Sequence, residues 1–419
     1  MKKPAILFIT IITVFYGCKK DVVTHSTDDP GHVKENLKSA KIVSASNQFA
    51  FGINRSFNQR AGDNNYFISP FSMVEALSMA YNGAGGNTKN QMAQVLGFSN
   101  YSSDEINNYN QSLAEALLSA DSKVQFEIAN SIWYRLGFHV LSPFISVNEN
   151  YYGAEVDSLN FSSPEALSII NGWVNNKTHG KIPTILDEIP GDAVMYLINA
   201  IYFKGMWQYQ FDSTKNTIAD FYKEDGSIIQ DTLMQLQQNL NYCHTDGYSA
   251  VELPYGNSAF NMVLVMPDTG KISDFIATLT GSKWSNLISA MKTTDVVVKM
   301  PKFHLELNTL LNQPLINLGM EDAFDPIKAD FSGIDGAQDL FISRVIHKTY
   351  IDLSEVGTEA AAVTAIEFKI SATPDQTEPK TQWFVANRPF VYAIVEKSTG
   401  VVLFLGKEVN PTIYSVDIQ

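Results

Sequence analysis

The chain has 419 residues, 45% hydrophobic and 18% charged, with 25 Gly and 16 Pro. That composition rules out a disordered or fibrous chain and leaves room for one large domain or a few ordinary ones. A net charge of −14 with no long basic run argues against a nucleic-acid partner, since phosphate contacts need clustered Lys and Arg.

The chain begins MKKPAILFITIITVFYGCKKD, with Lys2 and Lys3 ahead of an apolar run from Ala5 to Tyr16 and then Gly17-Cys18. The run is shorter than the roughly 20 residues a spanning helix needs, and its layout is that of an export signal. A small residue followed by Cys resembles a bacterial lipoprotein signal, in which Cys18 becomes the lipidated first residue. The expectation is a signal peptide over 1–17 and a lipoprotein of the outer membrane or cell surface. With an ordinary cleaved signal the protein would instead be periplasmic or secreted. Residues 18–42 carry a DDPG turn and read as a polar tether to a folded body spanning 43–419. Cys243 is the other cysteine; with Cys18 lipidated no internal disulfide can form. Its neighbour His244 gives too few ligands for a metal.

Helical periodicity dominates the first part of the body. It runs through SNQFAFGINRSF and SPFSMVEALSMAYNGAG, where Ser69-Pro70 signals a start and Gly83 to Gly86 a stop. NTKNQMAQVLGF, SSDEINNYNQSLAEALLSA and PEALSIINGWVNNKTHG continue it. Strand-like runs then take over: VQFEIANSIWYR, AVMYLINAIYFKG, SAVELPYG, FNMVLVMP and VVVKMPKFHLEL. FVYAIVEKSTGVVLFLGKEV reads as a hairpin near the end. Helices first and strands later, without regular alternation, indicate an α+β fold.

Catalytic motifs are missing. There is no HExxH pair, no metal-ligand spacing among the seven histidines and no GxSxG elbow. GAGGNTKN lacks the GK[ST] ending of a phosphate loop and reads as a helix end followed by a new helix start. The chain is expected not to be an enzyme and to need no cofactor.

One segment is puzzling. EVGTEAAAVTAIEFKIS, residues 355–371, is small and nearly featureless in its first half and alternates like a half-buried strand in its second. It runs directly into ATPDQTEPKTQ, which reads as an exposed loop.

The punctuating residues and strand cores together are similar to the serpin family. FISPFSMVEALSMAYNGAGGNT, NAIYFKGMW (Asn199 to Trp207), VELPYG with MVLVMPD, MPKFHLEL, LGMEDAFDPIKADFSGI and SRVIHKTYIDLSEVGTEAAAVTA follow the family order. ANRPFVYAIVEKSTGVVLFLGKEVNP closes it. The resemblance implies one domain with three β-sheets, about nine helices and a reactive loop near the C-terminus that baits a protease. After cleavage that loop inserts as a new strand of the main sheet, which accounts for a segment written both as loop and as strand.

In that reading the hinge is Glu355, Gly357, Thr358, Glu359, Ala360, Ala361, Ala362, Val363 and Thr364, small enough to pass between existing strands. Counted in steps of two from Thr358, every charge, including Glu359, Glu367 and Lys369, points away from the core. Family spacing puts the reactive bond at Ser371-Ala372, sixteen residues beyond Glu355. Lys369 is the main alternative, and Phe368 and Lys380 are others. Ser69, Ser72, Asn199 and His347 match the polar shutter beneath the opening sheet, and Trp207 the aromatic where the loop first goes in. The implied partner is a serine or cysteine endopeptidase, met by a monomer held to the membrane by its lipid. The rival reading is a serpin fold that only binds or scaffolds, and the small hinge favours trapping over it.

Overall fold

The computed structural model describes residues 40–245, 247–358 and 381–418. Helix α1 (Ala40–Ala61) buries Phe49, Ile53 and Phe57, which recur every fourth residue and form one apolar stripe. After β1 (Tyr66–Ile68), Ser69 caps α2 (Pro70–Tyr81) by accepting the Ser72 N–H, with Pro70 in the first turn. Helix α3 (Gly86–Leu96) leads to α4 (Ser103–Leu118), opened by a reciprocal Ser102–Glu105 capping box.

Strand β2 (Val124–Arg135), α5 (Ser142–Tyr152), β3 (Glu155–Leu159), α6 (Pro164–Lys177) and β4 (Met195–Met206) come next. An antiparallel run follows in β5 (Thr217–Tyr222), β6 (Ile228–Thr245), β7 (Tyr248–Pro254) and β8 (Phe260–Pro267). Helices α7 (Ile272–Thr278) and α8 (Gly281–Ala290) precede β9 (Lys292–Pro301) and β10 (Phe303–Leu310). The last part holds α9 (Asn312–Asn317), α10 (Ser332–Asp335), β11 (Ile346–Leu353) and the two-residue β12 (Gly357–Thr358). It closes with β13 (Gln382–Val385), β14 (Phe390–Glu396), β15 (Val402–Glu408) and β16 (Ser415–Ile418).

The α+β class is as expected, with ten α-helices among the described residues where about nine were anticipated. Three sheets were expected; hydrogen bonding joins the described strands into two. The cause is β6, an 18-residue strand that pairs β5, β9 and β7 in turn and so fuses two sheet regions into one nine-stranded network. The order helices-then-strands is also only approximate, because β2, β3 and β4 interleave with α5 and α6.

The seven-stranded sheet runs β16-β10-β11-β12-β4-β2-β3. Its two faces are covered differently. Leu305, Leu307, Phe203 and Ile351 join the main core with α1, α2 and the nine-stranded sheet. On the other face Ile198 and Ala200 pack with Trp133, Ile170 and Trp173 beneath α6. A strand buried on both faces must be apolar on both parities, which is why LINAIYF alternates so weakly.

Candidate functional site: a slot between β4 and β11

Strand β4 pairs β2 along its whole length, and β11 pairs β10 along its whole length. Among the described residues, β12 alone lies between β4 and β11: Thr358 is opposite Leu353 on one side and Gly205 on the other, and Gly357 is opposite Met206. Below that pair, no ladder among the described residues joins β4 to β11. The space between them is a slot that opens into a cavity of about 180 Å³, lined by Asn199, Ile201, His347, Met73 and Leu77. A smaller void of about 20 Å³ lies nearer β12, beside Phe203 and Thr349. Two facing strand edges without a shared ladder are a template for a further strand.

The mouth of the slot is built from the NAIYFKGMW and VELPYG segments. The Trp207 indole stacks on Tyr255 with centroids 4.3 Å apart and donates to the Ser354 carbonyl at 2.9 Å. The Trp207 N–H donates to Val356 O and the Phe211 N–H to Glu355 O, so the turn before β12 is fastened to the end of β4. Thr358 is 2% exposed, and its hydroxyl meets the Tyr255 hydroxyl at 2.7 Å. Two glycines permit this closeness. A Cβ on Gly357, whose φ is +152°, would lie 2.1 Å from the Gly205 carbonyl oxygen, and one on Gly205 would lie 2.9 Å from the Tyr255 ring.

Glu355 stands on the turn, where Asn216 donates to it at 2.6 Å and Lys302 approaches to 3.1 Å. Burial pushes its carboxyl up, but these partners and a backbone N–H outweigh burial and hold it below the usual carboxylate range. Glu355 therefore anchors the segment as an anion.

Lower in the slot, the Ser69 N–H donates to His347 Nε2 at 3.1 Å, while Ser69 Oγ donates to the Leu403 carbonyl. His347 is 7% exposed, and burial pushes its pKa down to about 4, so the ring is neutral and Nε2 is an acceptor. Ser72 joins through its N–H on Ser69 Oγ. Asn199 does not bond this trio. Its amide donates to Asn130 on β2 at 2.8 Å, and its Oδ1 is buried without a partner among the described residues. Across the outer face, the chain after α6 spans the slot. Lys181 donates to the Tyr350 hydroxyl of β11 at 3.0 Å, and His179 lies 3.0 Å from Glu127 of β2.

Of the expected site residues, Ser69, Ser72, Asn199, Trp207, His347, Glu355, Gly357 and Thr358 all lie along this slot. Glu359, Ala360, Ala361, Ala362, Val363, Thr364, Lys369, Ser371, Ala372 and Cys18 lie outside the described residues. Tyr255, Asn130 and the Asn216–Lys302 pair went unassigned in the sequence. Tyr255 had a signal, since VELPYG stood out as a motif; the others are ordinary polar residues whose role only the fold reveals. Cys243 is a buried free thiol. No cluster of metal-ligating side chains occurs among the described residues, and no helix among them is long and apolar enough to cross a membrane.

The seven-stranded sheet thus carries at its centre a two-residue strand, β12, paired to β11 on one side and to β4 on the other. The family model "Serpin (serine protease inhibitor)" matches residues 44–411, and the chain belongs to the serpin family. It is 30% identical to an uncharacterized serpin-like protein of Thermococcus kodakarensis, across 97% of this chain and 98% of that one. It is 33% identical to the leukocyte elastase inhibitor of Sus scrofa, across 88% of this chain and all of that one. Among solved structures it is similar to the thermophilic serpin tengpin in its native state, with TM-score 0.79 and 32% identity over 88% of this chain and 94% of tengpin.

Proposed function

We propose that the protein is a suicide inhibitor of serine or cysteine endopeptidases, acting by insertion of its cleaved loop between β4 and β11. The observation that carries this is the slot itself: β12 already occupies its mouth, and among the described residues the facing edges below share no ladder. If the register of β12 continued, Ala360 would arrive between Phe203 and Ile351, Ala362 between Ile201 and Thr349, and Thr364 between Asn199 and His347. The Asn199 oxygen, buried without a partner among the described residues, would then stand beside an incoming hydroxyl.

The energetics favour insertion. A new middle strand gains ladders on both sides, and Ile366, Phe368 and Ile370 bury at roughly 1.5–3 kcal/mol each. The intact form leaves that gain unrealised and is kept by a barrier, as in the strain-release switches of which serpin loop insertion is an established example. The protease nucleophile attacks the carbonyl of Ser371, the amine of Ala372 leaves, and the acyl-enzyme is carried off and distorted before water can release it. The small residues at the hinge, GTEAAAVT, suit rapid passage. Export and anchoring through lipidated Cys18 complete the proposal, placing a monomeric inhibitor at the cell surface or outer membrane.

The test is incubation with a panel of serine and cysteine proteases followed by denaturing gels. A band of the summed mass, stable to denaturant, supports trapping. Cleavage with every protease and a covalent complex with none would overturn it.

A further inference from the structure

The outermost strand of the seven-stranded sheet on the β10 side lies beyond the residues that the family matches. That match ends at residue 411, and β16 spans Ser415–Ile418. The Asn410 side chain accepts from both the N–H and the hydroxyl of Thr412, closing a turn that sends the tail along β10. The two strands are parallel, with Glu306 opposite Ser415, Leu307 opposite Val416, Asn308 opposite Asp417 and Thr309 opposite Ile418. The Glu306 N–H donates to the Tyr414 carbonyl at 2.9 Å, and the Thr309 hydroxyl donates to the Ile418 carbonyl at 2.7 Å.

The sequence of the tail suits this place. Val416 and Ile418 alternate with Ser415 and Asp417, so one parity is buried in the main core and the other faces water. Asp417 sets an acidic side chain on the new outer edge, which discourages a further strand. Without the tail, β10 would be that edge. Below Thr358, β11 pairs β10 alone among the described residues, so the wall of the slot facing β4 would be a two-stranded ribbon. A third strand stiffens a ribbon that is marginal as two. The tail also touches the side chains across this wall. The Tyr414 ring lies 6.3 Å from His304 of β10, which meets Tyr350 of β11 edge-on at 4.8 Å, and Lys181 sits 4.4 Å from the Tyr350 ring. A row of contacts therefore runs from the tail over both strands to the segment that spans the slot.

We propose that the outer edge of β10 is a strand-docking site, filled by the chain's own tail over residues 412–418, and that the docked tail braces the β10–β11 wall of the slot. The ligand such an edge takes is an extended peptide with branched apolar side chains at alternate positions, held by main-chain hydrogen bonds. Docking and bracing belong to the intact protein and need no protease, so they stand or fall apart from the inhibitory reading.

Amide hydrogen exchange on the full chain tests this, because successive N–H groups of a strand point to opposite sides. Those of Glu306 and Asn308 face the tail, whereas those of Leu305 and Leu307 face β11. Val416→Asp combined with Ile418→Asp puts charges at the buried positions of the tail and should release it. Exchange at Glu306 and Asn308 should then quicken by about tenfold or more. Exchange along β11 should quicken by a smaller factor, and the thermal midpoint of the intact protein should fall. Ser415→Lys adds a charge of outward parity and should change none of these. Val416→Ala combined with Ile418→Ala only shortens the same side chains and should give the same pattern in smaller measure, which covers a double acid variant that fails to fold. Wild-type protection of Glu306 and Asn308 in both double variants overturns the dock. Their exposure beside an unchanged β11 overturns the brace.

Discussion

Asn199 on β4 and His347 on β11 stand at the same height across the slot, each six residues along its strand from the Gly205 and Leu353 that flank Thr358. Thr364 lies the same six residues beyond Thr358. A strand continuing from β12 would therefore deliver an inward-facing hydroxyl to the level where both walls, Asn199 and His347, are polar. A charge delivered there would have no counter-ion.

Thr364→Arg should thus convert inhibitor into substrate. Initial recognition depends on residues near Ser371 and should survive, while insertion stalls on a buried cation costing several kcal/mol. The check is the ratio of covalent complex to cleaved chain at equal protease, with Glu359→Ala, of outward parity, as the control. Thr358→Arg is a poorer test, because Thr358 is already buried against Tyr255 and the substitution would disturb the intact protein as well.

Gly357→Ala should destabilise the mouth of the slot before any cleavage. Its methyl would collide with the Gly205 carbonyl, a backbone atom that cannot swing aside. A cost of roughly 1–3 kcal/mol is expected, read as a lowered thermal midpoint of the intact protein. An unchanged midpoint would mean that the close approach of β12 to β4 is not maintained.

His347 sets an acid limit. Its folded pKa of about 4 lies below the ordinary 6.5, so between these values the unfolded chain binds a proton that the folded chain does not. Stability is therefore highest above pH 6.5 and falls on acidification through 4, by up to roughly 3 kcal/mol from this group. His347→Gln should show a shallower decline in thermal midpoint over that window; an identical decline would contradict the burial of a neutral ring.

Much of this was legible in the sequence, and the limits have physical causes. Ser69-Pro70 announced α2 because cap and first-turn chemistry are local. The strand from Met195 to Met206 was visible as an apolar run, and the Glu396–Val402 turn as a hairpin signal. Helix α5 was overlooked, since SPFISVNENYY buries only Phe144, Asn148 and Tyr152 and so shows little apolar periodicity. The length of β6 was equally hidden, because much of it is half-exposed and polar. At the site, Trp207 and His347 could be located by resemblance, whereas the partners of Asn199 and Glu355 depend on contacts 69 and 139 residues away. No local pattern encodes those.

Membrane attachment can be tested by fractionation of cells expressing the wild type and Cys18→Ala. The wild type should partition with membranes and the variant should not, as the multiple acyl chains of a processed lipoprotein anchor firmly where one chain alone would not. Equal recovery of both from the soluble fraction would point to plain secretion.

The most direct test of loop insertion needs no knowledge of the target. Limited cleavage within residues 366–381 should leave the two pieces associated and raise the thermal midpoint substantially above that of the intact protein, because the slot between β4 and β11 is then filled. A cleaved protein that melts at the same temperature as the intact one would contradict the account.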